Sequence, residues 1–173
     1  MTRDEVKRII QIMCATYPNW HPADLSSTVD AWHLMLEDYP YNQIAIALKA
    51  YVTSDTSGFA PSVGQLIGKL NTITTANEPS ELEAWSMVSK ALRNGYYGAE
   101  EEFAKLPELV QKAVGNPSNL RQWATTDVDS VENVIQSNFL RTYRNVVKRA
   151  EEVRKMPSDV KALMQSCDVK WIG

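Results

Sequence analysis

Along the chain, apolar residues recur three and four positions apart far more often than they alternate, and the pattern reads as helix throughout. The first segment, TRDEVKRIIQIMCATYP, sets Thr2 and Glu5 at capping-box spacing, then repeats Val6, Ile9, Ile10 and Met13 until Pro18 closes it. The second carries Leu25, Val29, Trp32 and Leu36 as one stripe, with Leu34 and Met35 beside it. Pro22 is placed to open this helix and Pro40 to end it. A third stacks Ile44, Ala47, Leu48, Tyr51 and Val52, then runs into the loop SDTSGF. The fourth starts at Ala60–Pro61 and carries Val63, Leu66, Ile67 and Leu70. Four helices with short connections make a compact helical unit.

The stretch NTITTANEPS, residues 71–80, has the composition of a linker. Beyond it, Ser80 and Glu83 repeat the capping-box spacing, and Leu82, Trp85, Met87, Val88 and Leu92 follow, with Gly95 fitting a helix stop. The turn NGYYG leads to two short helices, Ala99–Leu106 and Pro107–Val114, the second ended by Gly115. Asn116–Pro117 opens another. The longest predicted helix runs from about Ser130 to Lys155, with Phe139, Tyr143, Val146 and Val147 on its apolar side. Pro157 stops it before SDVKALMQS. No segment alternates as a strand would. The expected fold is all-α: helical bundles at 1–72 and 80–165, a linker at 73–79, one long C-terminal helix in the second lobe, and a tail at 166–173.

Composition agrees with helix. Seven glycines in 173 residues are about 4%, against a usual ~7%. No run approaches the ~20 apolar residues of a bilayer crossing, and the charged N-terminus lacks the apolar stretch of a signal peptide. Cys14 and Cys167 lie near opposite ends, which suits two reduced thiols in a cytoplasmic protein. No membrane partner is expected.

Catalytic patterns are missing. Gly64 to Lys69 has the look of a phosphate loop but is one residue short of the motif, and Leu70 replaces the hydroxyl that would hold magnesium. Gly64 and Gly68 are better read as thinning a helix for a close neighbour. His21 and His33 have no second ligand one turn away, and no Ser/His/Asp or Cys/His set stands out. Glu100, Glu101 and Glu102 open a helix, where acids favour the dipole. The chain is expected to be no enzyme, with no cofactor and no metal.

Charge is uneven although its sum is only −3. Residues 78–108 hold seven acids against three bases, and residues 139–161 seven bases against three acids. Arg141, Arg144, Lys148 and Lys155 share one helix face, with Arg149 close by. Such a face is commonly just solvated, yet it is the candidate contact for DNA or an acidic protein surface. Most first-lobe aromatics should be core, while Trp20, Tyr39 and Tyr41 lie in or beside loops and are candidate interface anchors.

Tyr17-Pro18-Asn19, Ala31-Trp32-His33 with Leu36, and Phe59-Ala60-Pro61 ahead of Leu66 together make residues 1–72 resemble the N-terminal domain of phage replicative-helicase loader/inhibitor proteins, often called replisome organisers. The resemblance implies a non-enzymatic adaptor. Such an adaptor binds a ring-shaped DnaB-type hexameric helicase and holds it inactive until delivery to an origin marked by a phage initiator protein, in the host cytoplasm. It also implies a folded N-terminal domain and a C-terminal region that engages the helicase. Here residues 80–165 read as folded, and AWSMVSKALRNGYYG and SNFLRTYRNVV resemble the C-terminal part of other phage replication proteins. A DNA-binding replication or regulatory protein that uses the basic helix face is the alternative.

Overall fold

A computed structural model describes residues 1–127, 129 and 131–168, with Glu132, Cys167 and Asp168 described in backbone only. The fold is all-α. Among the described residues there are ten α-helices, one π-helical turn and no strand. The chain divides into two compact units. One comprises Met1–Ala76 together with the described residues from Val153 onward, and the other Asn77–Glu152.

The first unit begins with α1 (Arg3–Thr16), α2 (Leu25–Leu36), α3 (Tyr41–Ser54) and α4 (Val63–Thr74). Thr2 and Glu5 form the capping box expected of them. Pro22 does not open α2. The cap is Asp24, whose carboxylate accepts from the Ser26 and Ser27 amides and so satisfies two donors that proline could not. Ser62 and Gln65 make a further capping box at α4. Helix α1 packs on α2 and α3, and α4 packs on the same two helices. Ile9, Met13, Leu36, Ile44, Leu48 and Leu66 form the core between them, each contributing about 1.5–3 kcal/mol by burial.

The glycines of α4 do not act as expected. A Cβ at Gly68 would meet nothing within 4 Å, and one at Gly64 would only touch the Ser62 hydroxyl at 4.0 Å. No neighbour approaches closely there, so Gly68 only weakens the helix. Gly68→Ala is expected to stabilise the first unit by about 0.5–1 kcal/mol, read as a higher urea midpoint with an unchanged slope. Gly95 likewise does not stop its helix, which ends at Leu92. It is buried, and a Cβ there would sit 3.1 Å from that of Ala124.

The second unit holds α5 (Glu81–Leu92), α6 (Ala99–Lys105), α7 (Glu108–Val114), α8 (Pro117–Ala124), a π-helical turn at Val131–Ile135, and α9 (Gln136–Lys155). The expected start of the long helix at Ser130 lies outside the described residues. Ser80 and Glu83 form the capping box of α5, Asn116 caps α8, and Gly115, at φ 91°, ends α7 in a conformation side chains rarely adopt. Val88, Val110, Leu120, Phe139 and Tyr143 make the core. Phe139 lies between Trp85 and Tyr143, at ring-centroid distances of 5.6 and 5.8 Å. The buried Tyr143 hydroxyl donates to the Pro79 carbonyl at 2.7 Å, and burial is the first reason its pKa is raised.

The last helix, α10 (Ser158–Asp168), falls in the first unit rather than in the second lobe expected to reach residue 165. The Asp38 carboxylate accepts the Ser158 amide at 2.7 Å and its hydroxyl at 2.8 Å. An acid thus meets donors that a helix start leaves unsatisfied. No α10 residue with a described side chain is buried, so the helix is held chiefly at its first turn. The Ser158 amide, then its hydroxyl, hold the Asp38 carboxyl below its ordinary value. A carboxyl depressed in the folded state favours that state above its unfolded pKa, and the contribution disappears as pH falls through the depressed value. The amide signals of α10 should therefore lose protection below about pH 4, and Asp38→Ala should remove it at neutral pH. Equal protection in the variant would contradict this.

Candidate partner-binding surfaces

The loop between α3 and α4 is built by its own side chains. Asp55 accepts from the Ser57 amide at 3.0 Å, the Ser57 hydroxyl at 2.6 Å and the Gly58 amide at 3.1 Å. Those bonds place the Asp55 pKa below its usual value, with Ser57 the first cause. Gly58, at φ 74°, lets the chain reverse. The next residue, Phe59, is 72% exposed. A rigid turn thus holds out a phenyl ring that packs in no core cluster.

Beside it, the residues expected as anchors are less available. Trp20, Tyr39 and Tyr41 are all half-buried against the first core, and Trp20 meets Trp32 with ring centroids 6.1 Å apart. Burial, and after it the Asp38 charge, raise the Tyr39 pKa. Tyr17, Leu36 and Leu66 are buried, which leaves Phe59 as the large apolar member of the family-like pattern on the surface. The Gly64–Lys69 stretch lies inside α4, with the Lys69 ammonium donating to the Ser54 hydroxyl at 3.0 Å. A helix holds its amides in its own bonds and cannot cradle a phosphate there.

In the second unit, α9 turns Phe139 and Tyr143 inward, and neither is available for stacking. Arg141, Lys148, Arg149 and Lys155 are exposed with no ion pair among the described residues, Lys155 belonging to the first unit. Arg144 is different. Its guanidinium grips both Glu81 oxygens at 2.8 Å, which lowers the Glu81 pKa and raises its own. Both partners are well exposed, and the pair fixes geometry more than it adds stability. The basic face therefore offers fewer open charges than its sequence suggests.

Sequence reasoning passed over one feature here. Tyr96 and Tyr97, in the NGYYG turn, meet edge to face at 4.6 Å and are 53% and 89% exposed. Adjacent tyrosines inside a glycine-bounded turn were the available signal. Among the described residues, no group of His, Cys, Asp or Glu could hold a metal ion, and no helix is long and apolar enough to cross a membrane. Cys14 is a half-buried free thiol, and the side chain of Cys167 lies outside the described ones.

The four-helix part of the first unit and its loop agree with one comparison. Residues 1–67 match the family of the phage gene 39 protein, N-terminal domain. That gives domain-level kinship with phage helicase-loader/inhibitor-type proteins. No curated protein and no solved structure matches the chain. The matched stretch covers α1 to α3, the Phe59 loop and the first turn of α4. The second unit and α10 lie outside it.

Proposed function

We propose that the protein is a non-enzymatic replication adaptor that binds a DnaB-type hexameric helicase and restrains or loads it at the initiator-bound origin in the host cytoplasm. The match of residues 1–67 to the helicase-loader/inhibitor-type N-terminal domain carries this reading. In the family-like arrangement the C-terminal region engages the helicase, leaving the Phe59 loop for the initiator protein. The adaptor needs only complementary surfaces, and Phe59 has the character of an interface anchor. An unwinding assay on an origin plasmid carrying bound initiator tests the role. Unwinding by the helicase should depend on this chain. Equal unwinding with and without it would defeat the proposal.

A second reading rests on Arg141, Lys148 and Arg149, which are exposed and unpaired among the described residues. As contacts to DNA phosphates they would give binding that weakens steeply with salt, and reversing Arg141 and Lys148 would abolish it.

A further inference from the structure

The second unit contains an open groove that neither reading uses, with a volume of about 570 Å³. That lies within the ~300–1,000 Å³ range of ligand sites. Two indoles, Trp85 on α5 and Trp123 on α8, line it, and both are half-buried. Ser89, Arg93 and Gln136 join them. The side chains of these three make no hydrogen bond or ion pair among the described residues. Asn133 donates its amide to the Asp129 carbonyl at 2.9 Å, which leaves its side-chain oxygen unspent. Arg93 is the charged residue of the lining, and no carboxylate lines it.

The π-helical turn Val131–Ile135 supplies Val131 and Asn133 to this groove. Such turns are rare and concentrate at functional sites. Here the turn sits where α9 begins, and Gln136 is the first residue of that helix.

We propose that the groove binds a nucleotide of single-stranded nucleic acid. Aromatic faces stack bases of any sequence. Ser89, Gln136 and the Asn133 oxygen offer donors and acceptors to base edges, and Arg93 matches a phosphate. A peptide anchor would be better served by a deep apolar pocket, whereas this lining keeps unspent polar groups and one cation. An open groove lets a strand pass, where a closed pocket would suit a free nucleotide. The proposal stands apart from the helicase reading, because its test needs no helicase.

The full chain is titrated with a short oligothymidylate at low salt, following tryptophan emission and the anisotropy of a labelled oligonucleotide. Saturable quenching is expected, with affinity that falls as salt rises. Arg93→Glu and Gln136→Glu, both surface changes, should each weaken binding at least tenfold with an unchanged thermal midpoint. Absence of binding, or undiminished binding in both variants, overturns the proposal. Equal affinity for free thymidine monophosphate overturns it in favour of a mononucleotide site. Loss on Arg141→Glu/Lys148→Glu with Arg93→Glu unaffected also overturns it and moves the strand to the α9 face. A helicase peptide that protects Trp123 while the oligonucleotide does not bind overturns it in favour of a protein groove.

Discussion

Phe59→Ser should weaken capture of the initiator at least tenfold while helicase capture and thermal stability stay unchanged. Phe59 is 72% exposed, so its ring contributes little to the folded core, and a surface change of this kind usually moves stability by no more than about 0.5 kcal/mol. Its loop is already ordered by Asp55, Ser57 and Gly58, so little entropy remains to be lost when a partner covers the ring. Truncating an aromatic anchor of that kind commonly costs about 2 kcal/mol or more in binding, beyond the tenfold threshold. Surface capture with immobilised initiator, and separately with helicase, reads both effects. Unchanged capture of both would remove Phe59 from the interface. Loss of helicase capture alone would reverse the assignment of the two partners.

Phe139→Ala should unfold or nearly unfold the second unit. Phe139 is 2% exposed and packs between Trp85 and Tyr143. Emptying such a site costs about 3–5 kcal/mol, whereas 76 residues at ~0.05–0.15 kcal/mol each carry only about 4–11 kcal/mol in all. The two cores share no residue, so α1 to α4 should keep their protection. Hydrogen exchange read by mass spectrometry should show loss of protection across α5 to α9 by a factor on the order of 10²–10³. A loss below tenfold would mean that the cavity collapses or that α9 is not integral to this core.

Much of the helical order was legible because each helix states its own beginning. Thr2 with Glu5, Ser80 with Glu83, and Asn116 before Pro117 cap helices through bonds within four residues, and such bonds leave a mark in sequence. Stripes such as Ile9–Met13 and Leu66–Leu70 mark the buried face for the same reason. What escaped depends on neighbours distant along the chain. Asp38 holds Ser158 across 120 positions, so nothing near SDVKALMQS announces which unit it joins. Arg144 meets Glu81 across 63 positions, and its loss from the open basic face follows from helix packing alone. Gly68 had two readings, close approach or simple weakness, and only the empty space around it decides between them. The exposure of Phe59 escaped because an aromatic beside a turn is as often tucked in as held out. The Asp55-to-Gly58 turn was visible, but the direction of the ring was not.

The most direct measurement of the adaptor reading is size-exclusion chromatography with light scattering on the full chain mixed with the phage helicase, and in parallel with the host DnaB-type helicase. The reading expects at least one mixture to elute as a complex heavier than the helicase alone, with this chain in its peak. Separate elution of chain and helicase in both mixtures, at concentrations where each is folded, would contradict it.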